Sequence, residues 1–131
     1  MLEGGCHCGA IRYTAGGEPF HQTVCYCVDC RRSSGAVSVA WFSVQRRDFR
    51  WVGTPAAYRS SRHGTRRFCS NCGTSLTFEN DTLPDELDIA IATLDEPDLV
   101  QPQNRTFVSQ RPSWEELAGS LPRFEQSRRD G

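Results

Sequence analysis

A mainly β domain of short strands, gathered around metal-binding cysteine knuckles, is what this sequence predicts, and three observations carry the expectation. Apolar residues alternate with a period of two in several runs of four to eight residues; glycine and proline fall mostly between those runs; and seven cysteines cluster in three tight groups. Ala10 to Thr14 places Ile11 and Tyr13 on one side, and Ala36 to Ser43 places Val37, Val39 and Trp41 on one side. Leu87, Ile89 and Ile91 repeat the pattern against Asp88, Ala90 and Ala92. Shorter candidates are Phe20 to Val24, Phe49 to Val52, Ala57 to Ser60, Arg66 to Cys69, Ser75 to Phe78 and Arg105 to Val108. One short C-terminal helix is expected where Ser113-Trp114-Glu115-Glu116 has capping-box spacing, with Pro112 before it and Gly119 after.

The 131 residues make one ordinary domain. No apolar run approaches the roughly 18 residues of a spanning helix, so no membrane contact is expected. Met1-Leu2-Glu3-Gly4-Gly5 lacks a cationic and an apolar leader region, which makes a cytoplasmic setting the expectation. Fifteen basic residues, all arginine, stand against sixteen acids for a net charge of -1, which gives no global reason to bind a polyanion. The absence of lysine excludes Schiff-base chemistry on a lysine and a Walker-type phosphate loop. Locally the charge is uneven. Residues 46 to 67 hold seven arginines and one acid, Asp48, while residues 79 to 98 hold eight acids and no arginine. Either the two stretches pair with each other or neighbours, or the first forms an electropositive rim for an anionic substrate or nucleic acid.

The cysteines are Cys6-x-Cys8, Cys25-x-Cys27-x-x-Cys30 and Cys69-x-x-Cys72. Seven is an odd number for a disulfide framework, and structural zinc takes four ligands where catalytic zinc keeps a position open, so the thiolates divide as four plus three. Cys69-Ser70-Asn71-Cys72-Gly73 has the form of a zinc knuckle, its glycine permitting a positive φ beneath the metal. Its partner pair is either Cys6 with Cys8 or, as in a zinc ribbon, Cys27 with Cys30. Spacing alone does not choose. Cys6 and Cys8 are favoured because Arg31, not glycine, follows Cys30, and because three cysteines within six residues can hold a metal by themselves. Two purely structural sites, the second completed by His63, His21 or an acid, are the competing reading.

Gly5-Cys6-His7-Cys8-Gly9-Ala10 with Tyr13, then Cys25-x-Cys27-x-x-Cys30-Arg31-Arg32-Ser33-Ser34-Gly35-Ala36, then Phe68-Cys69-x-x-Cys72-Gly73-Thr74, resembles the glutathione-dependent formaldehyde-activating (GFA) family, which includes centromere protein V. Thr93-Leu94-Asp95 and the Trp114 to Phe124 tail extend the likeness over nearly the whole chain. The resemblance implies a β-tent of small antiparallel sheets over residues 1–125 as a single domain, with 126–131 a disordered tail. It implies a structural zinc on Cys6, Cys8, Cys69 and Cys72 and a second zinc, with an open position, on Cys25, Cys27 and Cys30. It also implies carbon-sulfur lyase activity of the S-(hydroxymethyl)glutathione synthase kind, joining a small aldehyde to a glutathione-like thiol. Tyr26 stands where the family often has histidine, and no histidine lies near Gln103-Asn104-Arg105, where one is common.

In that chemistry Cys25, Cys27 and Cys30 are the ligands of the open metal, Arg31 and Arg32 are candidates for binding the thiol's carboxylates, and Tyr26 for a hydrogen bond to a hydroxymethyl oxygen. Each has a plainer alternative: the arginines facing solvent, the tyrosine packing. His63 is a candidate proton shuttle or fourth ligand, His7 points away from the metal its neighbours bind, and Trp41, Trp51 and Phe42 fill the core or line a cleft. The competing function is a non-catalytic zinc module that binds nucleic acid or a protein through Arg46 to Arg67. Polyanion binding weakens steeply with salt and thiol condensation at a metal does not.

Overall fold

The structure, a computed structural model, describes residues 1–116, 119 and 121–127. The chain runs through β1 (Leu2–Gly5), β2 (Arg12–Ala15), β3 (Phe20–Cys25), α1 (Val28–Ser34), β4 (Val39–Gln45), β5 (Phe49–Val52), β6 (Ala56–Arg59), β7 (Gly64–Phe68), β8 (Ser75–Asn80), β9 (Glu86–Ala90) and β10 (Asn104–Thr106). Strands β1, β2 and β5 form an antiparallel sheet of three, and the other seven form a sheet in the order β10-β3-β4-β9-β8-β7-β6. The larger sheet is mixed, because β10 lies parallel to β3 while its other pairs are antiparallel.

The two sheets close on each other over one hydrophobic core. Phe42 and Val44 of β4, Leu76 of β8 and Leu87 and Ile89 of β9 meet Tyr13 and Ala15 of β2 and Phe49 of β5. Tyr13 is fully buried, stacked on Phe49 and edge-on to Trp51, and its hydroxyl is hydrogen-bonded to Thr93 Oγ1 at 2.8 Å. Burial pushes its phenol up to about 12. Period-2 geometry sends the intervening residues to the other face. Trp41 and Ala90 there join Cys25 and Cys30 in a second, smaller apolar cluster. Strand β4 is therefore buried on both faces, a consequence of its place inside the larger sheet.

The expected strands are present, with boundaries moved by a few residues, and β1 is an addition. Two glycines in four residues weaken a strand signal. The structure needs both: a side chain at Gly4 would collide with the Tyr13 ring and the Thr93 carbonyl, and one at Gly5 with the Ile11 carbonyl. The single α-helix among the described residues is α1, not the expected C-terminal one. Cys27 caps it, its Sγ accepting from the Cys30 N–H at 3.3 Å, and Gly35 ends it at φ 69°. At the expected C-terminal site Ser113 and Trp114 form a turn and Trp114 is exposed, while residues 117, 118 and 120, on which the rest of that helix would fall, lie outside the described residues. So do residues 128–131 of the expected tail.

The opposed charge stretches pair with each other. Arg46 and Arg67 both reach Glu79, at 3.2 and 2.6 Å, and Arg59 reaches Asp81 at 2.5 Å. Arg67 and Glu79 lie on neighbouring strands β7 and β8, while Arg59 and Arg46 each reach across an intervening strand, so two acids engage three of the seven arginines.

Candidate metal centres

Four cysteines from two turns converge at one edge of the core. Cys6 and Cys8 follow β1, and Cys69 and Cys72 lie in the turn between β7 and β8. Their four sulfurs all lie within 4.8 Å of one another, with Cys6 to Cys8 at 3.7 Å and Cys8 to Cys69 at 3.8 Å. A tetrahedron of thiolates at about 2.3 Å from a metal has edges of about 3.8 Å, so these sulfurs stand where such a site needs them. They are too far apart for disulfides. Gly9 and Gly73 follow the second cysteine of each pair at φ 82° and 83°, so both turns have knuckle geometry. The donors around the sulfurs favour thiolates: Ile11 N–H gives to Cys6, Asn71 Nδ2 to Cys8 and Cys72 N–H to Cys69, at 3.2 to 3.4 Å. Thr74 beside Cys72 draws that thiol down to about 5. Cys27 and Cys30, the other pair considered for this knuckle, lie in a separate group.

That group comprises Cys25, Cys27 and Cys30, whose sulfurs also lie within 4.8 Å of one another. It is local: Cys25 ends β3, Cys27 caps α1 and Cys30 sits in the first turn. Cys25 and Cys30 are buried and Cys27 is half-buried. A hydrogen bond from Cys30 holds the Cys25 thiol down, the same bond and burial push Cys30 well up, and burial pushes Cys27 up. The shifts differ in sign because the three sulfurs share one set of hydrogen bonds, and three thiolates this close repel one another unless a cation lies between them. Among the described residues no histidine or carboxylate joins either group at this spacing. His63 lies in the exposed β6–β7 turn and His7 donates its backbone N–H to Thr74.

A cleft of about 450 Å³ opens over the three sulfurs, floored by the larger sheet on the face away from the main core. Strand register orders that floor in rows. The first row holds Trp41 beside Ala90, packed on Cys25 and Cys30; the next holds Ser43 beside Asp88, Asp88 beside Phe78, and Phe78 beside Arg66. Arg66 is only 5% exposed. Its guanidinium stacks over Phe78 at 4.8 Å, gives Nε–H to Ser60 Oγ at 3.2 Å and lies 3.7 Å from Cys30 Sγ through Nη2. His21, at φ 51°, and Phe107, at φ 55°, both line the cleft and are the non-glycine residues in left-handed conformation among those described. Backbone strain is thus concentrated on the cleft walls.

Of the expected substrate-binding residues, none lines the cleft. Arg31 Nη1 donates to the Gln110 carbonyl at 3.3 Å, Arg32 is exposed, and Tyr26 is buried with its N–H on the Thr106 carbonyl at 3.0 Å. Trp41 lines the cleft, Phe42 is in the core and Trp51 packs against that core. Arg66, Asp88 and His21 have no pattern in sequence that marks them as neighbours of a metal; only strand pairing brings them there. Arg66→Met should weaken metal binding at the three-cysteine group about tenfold or more while sparing the four-cysteine group, because losing a donor to a ligand sulfur typically costs ten- to a hundredfold. Competition with a graded chelator measures this, and unchanged affinity would mean that the contact with Cys30 is incidental.

The family model described as glutathione-dependent formaldehyde-activating enzyme matches residues 1–110. A Halomonas elongata protein named "Putative glutathione-dependent formaldehyde-activating enzyme" is 28% identical over 128 residues, covering 89% of this chain and 81% of its own. An uncharacterized lyase of Schizosaccharomyces pombe is 34% identical over 76 residues, 58% of this chain and 56% of its own. A crystal structure of a Rhodobacter sphaeroides protein superposes with a TM-score of 0.62 over 79% of this chain and 99% of its own, at 24% identity, a likeness of fold.

Proposed function

The chain belongs to the glutathione-dependent formaldehyde-activating family, and from that premise we propose that it is a zinc-dependent carbon-sulfur lyase that condenses, or releases, a small aldehyde such as formaldehyde with glutathione or a similar thiol. One observation carries this reading: a group of three cysteine sulfurs, without a fourth protein ligand among the described residues, lies under a cleft large enough for a small thiol. In the proposal Cys6, Cys8, Cys69 and Cys72 hold a structural zinc, and residues 1–125 form one domain around it. Cys25, Cys27 and Cys30 hold the second.

Zinc there would keep its fourth position for the incoming thiol and favour its ionised form. The chain's own residues supply the rest. A free thiol near pKa 8.5 is already a few per cent thiolate at neutral pH, so ionisation contributes little more than about tenfold. Holding thiolate and aldehyde together contributes more, since effective molarities supply several kcal/mol. Trp41 and Phe78 give the cleft apolar walls, and the guanidinium of Arg66 offsets the net negative charge of three thiolates around a divalent ion. We propose Arg31 and Arg32, on the helix that carries Cys30 but outside the lining of the cleft, for the carboxylates of a thiol that extends beyond it, and Tyr26, buried, for packing in place of a hydrogen bond to the hydroxymethyl oxygen. Among the described residues no helix is long and apolar enough to cross a membrane, and we propose a cytoplasmic site of action.

Exchange spectroscopy of glutathione with formaldehyde at neutral pH tests the reading. The zinc-loaded protein is expected to raise exchange above the appreciable background, and Cys27→Ser to return it to background. Equal rates for the two proteins, with glutathione and with other small thiols, would overturn it.

A further inference from the structure

The condensation moves a proton as well as making a carbon-sulfur bond. The S–H bond breaks, the sulfur lone pair attacks the carbonyl carbon, and the carbonyl π pair becomes an alkoxide that must be protonated. Resting on the lyase reading, we propose that Asp88 is the proton carrier: its carboxylate takes the thiol proton and its carboxyl returns that proton to the former carbonyl oxygen. Release of the aldehyde runs the same steps backwards, and the carboxylate ends each cycle unchanged.

Position is the main argument. Trp41 pairs with Ala90 and Ser43 pairs with Asp88, so the Ser43–Asp88 row lies two residues along the same face from the row that packs on Cys25 and Cys30. That step is about 7 Å. A sulfur, a carbon and a hydroxyl oxygen, with one hydrogen bond or one bridging water, cover such a span. Asp88 is also an unusual residue for mid-strand: its neighbours Leu87 and Ile89 are core residues, and it makes none of the ion pairs among the described residues. Ser43 Oγ, itself buried, donates to Asp88 Oδ1 at 2.6 Å and fixes the carboxyl toward the cleft that both residues line.

The surroundings favour the protonated carboxyl more than water does. Burial and then Glu86, two residues away on β9, push Asp88 up from the usual carboxylate range; the Ser43 bond and His21 on β3 hold it down, and the rise prevails. Asp29 on α1 and Arg66 on β7 line the same cleft. His21, exposed on β3 two strands away in the same sheet, is the rival carrier.

The sign of the shift adds a readout that a structural role would not move. A carboxyl whose pKa is raised by folding stabilises the fold at low pH and loses that contribution as pH rises through the folded value. Asp88→Asn, which keeps an acceptor for Ser43, should therefore melt at or above the wild-type temperature at neutral pH.

The experiment compares zinc-loaded wild type, Asp88→Asn, Asp88→Glu, His21→Gln and Cys27→Ser by exchange spectroscopy across pH 5 to 8, with zinc content and melting temperature for each. Asp88→Asn is expected to lose about a hundredfold of the exchange above background, with unchanged zinc and an unchanged or higher melting temperature, and to lose the acidic limb of the pH profile. Asp88→Glu should recover part of the rate. A carbon-detected titration of wild type should place the Asp88 carboxyl above the usual carboxylate range. Wild-type exchange in Asp88→Asn, or loss of the acidic limb in His21→Gln instead, would overturn the assignment and leave the lyase reading standing. Wild type no faster than Cys27→Ser would overturn both.

Discussion

Cys69→Ser is expected to unfold the domain or leave it melting far below the wild type, and Cys6→Ser to do the same. Both side chains belong to the main core, Cys69 being 1% exposed, and with Cys8 and Cys72 they tie the turn after β1 to the turn between β7 and β8. Metal at such a site supplies on the order of 10 kcal/mol of folding free energy. That is comparable with the total stability of a domain, about 5 to 15 kcal/mol. Circular dichroism melts of zinc-loaded protein measure the effect. Normal folding of either variant would remove the four-cysteine group from its structural role.

Cys27→Ser should behave in the opposite way, keeping a cooperative fold and losing all catalysed exchange. Its group spans only residues 25 to 30 and sits on the far face of the larger sheet, in the smaller apolar cluster. Cross-linking so short a segment constrains the unfolded chain little, because closure entropy grows with the length enclosed. The serine keeps an acceptor able to cap α1. The expected cost is therefore a modest fall in melting temperature beside complete loss of the rate above background. If Cys27→Ser unfolds while Cys6→Ser does not, the structural and catalytic assignments are reversed.

Most of this arrangement was legible because cysteine chemistry is written in spacing. Cys69-x-x-Cys72-Gly73 announces a knuckle, and three cysteines in six residues announce a local site; the structure brings together the same four and the same three. The strands were legible where one face is apolar, as in β5 and β9. Helix α1 was not, because its cap is a cysteine and its seven residues carry no apolar stripe. Strand β10 has its parallel pairing from β3, 81 residues away at each pair (Asn104 with Thr23), which no local pattern encodes. Arg66 read as one more charge in a basic run, since nothing in Gly64-Thr65-Arg66-Arg67-Phe68 distinguishes the arginine that turns inward from the one that pairs with Glu79. Asp88 read as the polar half of an amphipathic strand. Its face holds Trp41, Ala90 and Phe78 as well, and is the cleft floor and not bulk solvent.

The division of seven sulfurs into a structural four and a catalytic three is open to direct measurement by elemental analysis of zinc per chain, on wild type and Cys27→Ser prepared with zinc and gently reconstituted. About two zinc ions per wild-type chain and about one per Cys27→Ser chain are expected, since four thiolates fill one tetrahedral site and the remaining three need another. A wild type that settles at one zinc after reconstitution would contradict the division, and with it the metal on which the proposed lyase depends.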